Sequence, residues 1–288
     1  MLTKDFIELG REASVHNNDS GSLAKLEQRF LNGERRQDFL KAYITKRTEM
    51  KLPNADMLNT YLKFVPKDQL SRNEEIVFLG KNIGARQSAA VDHVLSGLPR
   101  LTELQKKDVS ARLFSLFSNE FGIARKEKRL EDQYKIIKQM EIILSSVTTE
   151  QMNTANLIKL LYFTETKDRE NLKRVSQSIA QKLMAVKDED ITIRNLELYN
   201  ELMEPFISGE RDSTSIPGFS EEAKRLQKQH SAEIASRLYQ VSDANFKTLS
   251  QDDPALNDAL KWAERAHALT PNEATQKLVA NLRAKVGG

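Results

Sequence analysis

Residues 255–271 read ALNDALKWAERAHALTP. Ala259, Ala263 and Ala266 recur there at intervals of four and three, which places them on one helix face, with Trp262 and Leu260 between them. An alanine stripe holds little bulk, so a second helix can approach this face closely. Pro271 closes the stretch, where the chain must leave one helix and enter the next. Residues 274–287 then carry Leu278 and Leu282 on one face, as the next helix or a cap.

The same spacing extends outward through the chain. Phe114, Phe117 and Phe121, with Leu113 and Leu116, mark one apolar stripe; Ile136, Met140, Ile143, Leu144 and Val147 mark another. Leu157, Leu160 and Leu161, then Leu172, Val175, Ile179, Leu183 and Val186, then Leu196, Tyr199, Leu202, Met203 and Phe206 repeat the pattern. Each is the signature of a helix with one buried face. No stretch alternates with a period of two over strand length, so no sheet is expected. Start signals agree. Ser71 with Glu74, Thr102 with Gln105, Thr148 with Gln151 and Thr270 with Glu273 read as capping boxes. Asp253-Pro254 and Thr270-Pro271 each put a capping residue before a proline at the first helical position. About a dozen helices of ordinary length follow.

Helices joined by short breaks make a bundle or a stack of hairpins. The alanine spacing of 259, 263 and 266 with its closing proline resembles the second helix of a tetratricopeptide (TPR) repeat. The expected fold is therefore all-α, a TPR-like α–α superhelix of stacked helical hairpins. A period of ~34 residues is not traceable through residues 1–220, where the reading rests on helix pairing. The expected layout is a degenerate hairpin array over 1–208, a mobile surface loop over 209–220 (GERDSTSIPGFS), and TPR-like helices over 221–288, as one continuous domain.

Composition sets limits on function. The 288 residues carry a net charge of +3, spread evenly, with no basic block. Nucleic-acid binding needs a concentrated positive face and is not expected. No apolar run approaches the ~20 residues that span a bilayer. Met1 to Phe6 lacks the apolar core of a signal peptide. Cysteine is absent, which removes thiolate catalysis, iron–sulfur ligation and cysteine zinc sites.

No residue set nominates chemistry. His16, His93, His230 and His267 form no pair at helical spacing, so no metal site is expected; His230 reads as a partly buried histidine and His267 as a solvated one. Asp188-Glu189-Asp190 and Asp252-Asp253 sit where helices begin and complement the positive helix end. The turn Asn17 to Gly21 lacks the closing glutamate of a calcium loop. Arg125-Lys126-Glu127-Lys128-Arg129, flanked by Glu131 and Asp132, reads as a solvated, ion-paired face. No phosphate loop, dinucleotide fingerprint, nucleophile elbow or zinc-protease motif occurs, and no catalytic residue or cofactor is expected. Phe114, Phe117, Phe121, Tyr134, Tyr162 and Phe163 concentrate in the middle of the chain and are core at helical spacing; should some line an inner curve, they would be the partner-binding residues, Phe114, Phe117, Phe121, Tyr162 and Phe163 first among them.

The chain resembles the helical region that follows the thioredoxin fold in a group of exported bacterial thioredoxin-like proteins. The residues that carry this are Phe6 to Gly10, Leu23 to Phe30, Gly33 to Arg36, Asp38 to Leu40 with Tyr43, Leu58 to Leu62, Glu74 to Ile76 with Phe78-Leu79, and Ala259 to Ala266. The middle matches only in helical character. The resemblance implies an accessory role, a periplasmic setting and, as one partner, a thioredoxin-like part that this chain does not contain. No Cys-x-x-Cys is present, so no disulfide exchange carries over. The function expected is a non-catalytic interaction domain for a protein or peptide. The rival is a helical enzyme whose site gathers scattered carboxylates and arginines.

Overall fold

The computed structural model describes residues 20–86, 88–212, 214 and 216–287. His16, residues 17–19 of the expected turn, and Phe6 to Gly10 lie outside them. Among the described residues there are fifteen α-helices, two 3-10 turns and no strand. The chain forms two compact units, residues 1–155 and 156–288. The division thus falls ahead of the irregular stretch 209–220, which connects two helices inside the second unit.

The first unit contains α1 (Ser20–Leu31), α2 (Gln37–Glu49), α3 (Ala55–Phe64), the single turn α4 (Lys67–Leu70), α5 (Asn73–Asn82), α6 (Ala89–Gly97), α7 (Glu103–Lys126) and α8 (Leu130–Ile143). Helix α5 packs against α2, α6 and α7, and α7 packs against α8. Two glycines permit these approaches. A Cβ on Gly80 would lie 2.6 Å from a Val109 methyl of α7, and one on Gly97 would lie 2.5 Å from Ile76 Cδ1 of α5. Thr102 and Gln105 form the expected capping box at α7, and Thr148 with Gln151 bonds the same way at the next helix. Ser71 does not cap α5. It ends α4, its hydroxyl donating to the carbonyls of Lys67 and Asp68, and α5 starts from Arg72 with no side-chain cap.

Helix α9 (Thr149–Thr166) leads to α10 (Arg169–Met184), α11 (Asp188–Ile207), α12 (Phe219–Leu226), α13 (Gln229–Thr248), α14 (Ala255–Leu269) and α15 (Glu273–Gly287). In the second unit, α13 packs against α10, α11, α14 and α15. Ala259, Ala263 and Ala266 are buried with Trp262, as the stripe predicts. Tertiary contacts cap α13 at both ends, which its own sequence does not do. At its start, Asn195 Oδ1 of α11 accepts from the N–H groups of His230 and Ser231 at 2.9 and 3.2 Å. At its end, Lys285 Nζ of α15 donates to the carbonyls of Phe246 and Leu249 at 2.6 and 2.7 Å. The expected box at Thr270 and Glu273 lies two residues further on. Asn272 and Thr275 exchange side-chain acceptors, Asn272 Oδ1 with the Thr275 N–H and Thr275 Oγ1 with the Asn272 N–H. Asp253 caps α14 through the Ala255 N–H, 3.0 Å away, with Pro254 between them.

Asp188 begins α11, as expected of an acid at a helix start, and Arg265 of α14 pairs with it. Its carboxyl is held below the ordinary aspartate range, first by the hydrogen bond from Arg265 and then by that charge. A lowered folded pKa contributes stability above the ordinary value and loses it as pH falls through the folded one. An NMR titration of the Asp188 carboxyl is therefore expected to show a midpoint below the usual value, returning to it in Arg265→Gln. Identical midpoints in both chains would refute the assignment.

Candidate functional site

The end of α2 shapes a cleft in the first unit. Met50 terminates the helix and Lys51 takes a left-handed conformation at φ 57. The Lys51 N–H then reaches the Thr48 carbonyl at 3.0 Å and the Leu52 N–H reaches Arg47 at 2.8 Å, a closing motif that usually places glycine at this position. Arg47 holds the turn from inside the helix: Nε and Nη2 donate to the Pro53 carbonyl at 3.1 and 2.8 Å, and Nη1 donates to Tyr43 Oη. A β-substituted residue at positive φ costs roughly 1 kcal/mol. Here that conformation sets a lysine at the rim of the cleft.

The cleft has a volume of about 700 Å3 and is lined from three places in the sequence, residues 48–54, residues 81–85 and Arg112. Thr48, Asn54 and Asn82 form a polar chain in it. Thr48 Oγ1 lies 2.8 Å from Asn82 Oδ1 and accepts from Asn54 Nδ2 at 2.5 Å, while Asn82 Nδ2 donates to the Phe78 carbonyl. Asn54 is 2% exposed, and its Oδ1 is buried and accepts no hydrogen bond among the described residues. Such an acceptor is costly unless something supplies a donor. Lys51, Lys81 and Arg112 bring three cations against the single carboxylate of Glu49, and none of the three has an ion pair among the described residues. Leu52, Pro53 and Ala85 supply an apolar wall.

A second polar cluster ties α2, α3 and α5 together. The buried carboxylate of Glu75 accepts from Lys41 Nζ at 2.5 Å, Tyr61 Oη at 2.5 Å and Gln37 Nε2 at 3.1 Å. Burial, and then the bond to Glu75, push the Tyr61 phenol well above the ordinary tyrosine range. None of these four side chains lines the cleft.

The aromatic residues singled out in the sequence are placed differently. Phe114, Phe117 and Phe121 are 5%, 0% and 2% exposed, so they are core of the first unit and offer no partner surface. The reason is α7 itself, whose phenylalanine face turns toward its packing partners in the unit. Tyr162 and Phe163 of α9 are half-buried and meet edge to face at 5.6 Å. His93 Nε2 meets the Leu70 carbonyl at 3.0 Å. His230 is half-buried as expected, whereas His267 is half-buried against Thr275 Oγ1 at 2.9 Å rather than solvated. Arg129, in the basic run, pairs with Glu127 and Asp132. Among the described residues, no group of three potential metal ligands converges and no helix is long and apolar enough to cross a membrane. The sequence carries little sign of the cleft: its turn tokens, Pro53-Asn54 and Asn82-Ile83-Gly84, mark breaks, but nothing local joins them to Arg112.

No family model, curated protein or solved structure matches this chain.

Proposed function

We propose that the chain is a non-catalytic, TPR-like helical interaction module whose cleft at the end of α2 docks an acidic peptide segment of a protein partner. The observation that carries this reading is the excess of cations, Lys51, Lys81 and Arg112, around the cleft. An acidic peptide matches it, because its carboxylates meet the cations. Leu52, Pro53 and Ala85 give its aliphatic carbons a wall. The buried alanine stripe of α14 supports stacked hairpins of the TPR kind. The resemblance to the helical region of exported thioredoxin-like proteins supports an accessory role beside such a part, in the periplasm.

A helical enzyme is the second reading, favoured by the Glu75 cluster, in which four polar groups converge. Against it, the two Glu75 oxygens already take three donors, which suits a cross-link between helices better than proton transfer.

Fluorescence anisotropy with labelled glutamate-rich and charge-neutral peptides tests the proposal. The acidic peptide is expected to bind, and to bind more weakly as salt rises, because the cations are exposed to screening. Reversing the three charges together (Lys51→Glu, Lys81→Glu, Arg112→Glu) is expected to weaken binding about a hundredfold, at roughly 1 kcal/mol per reversed charge. Equal binding of the two peptides, or an unaffected variant, would count against it.

A further inference from the structure

Helix α11 buries little of itself. Of its 20 residues only Ile191 and Met203 are buried, whereas Ile193, Leu196, Leu202 and Ile207 are 57%, 60%, 45% and 68% exposed. The stripe expected to face inward here, Leu196 to Phe206, is therefore inward only in part. The helix meets α13 instead through Ile191, in one core cluster with Ile234 and Leu238, and through Asn195.

The outward residues are ordered along the helix. Ile193, Leu196, Asn200, Met203 and Ile207 succeed one another at alternating steps of three and four, the spacing of a coiled-coil seam. Met203 is the buried member, and the other four stand in solvent. The seam rises about 21 Å at 1.5 Å per residue. Pro205 falls on the opposite side of the helix and does not obstruct it. Asn200 interrupts the apolar line with an amide that makes no hydrogen bond among the described residues.

Charge decides what can lie on this seam. The helix carries Asp188, Glu189, Asp190, Glu197, Glu201 and Glu204 against a single cation, Arg194. Arg194 pairs with Glu197, while Glu189 and Glu204 have no ion pair among the described residues. Glu197 and Glu204 each follow a leucine or methionine of the seam, the flanking position that faces a charge on the opposite helix of a coiled coil. Laid antiparallel, a second copy of α11 would set these carboxylates against their own kind. Laid parallel, it would offer them Thr192 and Tyr199, neither of which is a cation.

We infer that α11 docks a basic amphipathic helix of a protein partner, with apolar side chains along the seam and lysine or arginine facing Glu197 and Glu204. Apolar contact supplies the affinity and the carboxylates select the partner. A polar side chain opposite Asn200 fixes the register. The inference does not rest on the acidic-peptide reading, because it concerns the other unit and a partner of opposite charge.

Fluorescence anisotropy on the full chain tests it with three labelled peptides, each three heptads long. One is a helix with leucine at both seam positions and lysine on the flanks. The second carries glutamate on the flanks, and the third is the lysine peptide with its order scrambled. The lysine helix is expected to bind about tenfold more tightly than either of the others. Ile193→Gln with Leu196→Gln is expected to weaken it about tenfold while leaving thermal unfolding of the chain unchanged, since both side chains are exposed. Glu197→Lys with Glu204→Lys is expected to turn the preference toward the glutamate helix. Equal binding of the lysine and scrambled peptides, an undiminished glutamine variant, or a preference that survives the lysine variant would overturn the inference. So would sedimentation of the chain alone as a dimer that the glutamine variant abolishes, which would assign the seam to a second copy.

Discussion

Phe117→Ala is expected to destabilise the first unit by about 3–5 kcal/mol, the range for truncating a buried aromatic core residue. Phe117 is 0% exposed and shares the inward face of α7 with Leu113, Phe114 and Phe121. The cost depends on whether neighbours can collapse into the space left. Here α5 cannot move far toward α7, because Gly80 already lies against the Val109 methyls. The cavity thus persists, and with it the loss of dispersion contacts. Leu104→Ala, on the same helix at 73% exposure, serves as the control and is expected to change stability by less than about 0.5 kcal/mol. Urea denaturation read through hydrogen exchange of the α7 amides assigns the effect to this unit. A loss below about 1 kcal/mol would mean that Phe117 is not packed as described.

Glu75→Ala is the second large effect, expected at about 2–4 kcal/mol, because it strips a buried carboxylate from three donors at once. Lys41 Nζ, which lies 5.1 Å from the Phe78 ring centre, loses its counter-charge, and the buried Tyr61 hydroxyl loses its acceptor. Glu75→Gln keeps an acceptor for Tyr61 and is expected to cost less. Alkaline pH gives an independent readout. With its pKa raised on folding, Tyr61 keeps its proton where the unfolded chain's phenol releases it, so the native state loses stability as pH rises above the ordinary tyrosine value. In Glu75→Ala part of that upward shift is removed, and the alkaline loss is expected to be shallower. An unchanged alkaline slope would show that burial alone sets the Tyr61 shift.

The helices were legible because their signal is local. Phe114, Phe117 and Phe121 repeat at helical spacing whatever they pack against, and Thr102 with Gln105 closes a capping box within one turn. Caps supplied from elsewhere were not legible. Asn195 and Lys285 cap α13 from 35 and 39 residues away, and no local pattern announces such a partner. Ser71 and Thr270 satisfied the capping pattern but end the preceding helices instead: the Ser71 hydroxyl donates back to the carbonyls of Lys67 and Asp68, whereas Thr270 closes its helix through its backbone N–H to the Ala266 carbonyl.

By itself the sequence determined that this chain is all-helical, that alanines 259, 263 and 266 face inward, and that thiol chemistry is excluded. These follow from side-chain periodicity and composition, which act within a few residues. Only the tertiary structure decided that Glu75 joins three helices, and that Lys51, Lys81 and Arg112 converge on one cleft with Asn54. Convergence of side chains so far apart in the chain depends on how helices pack, and packing is set by the fit of many distant surfaces at once.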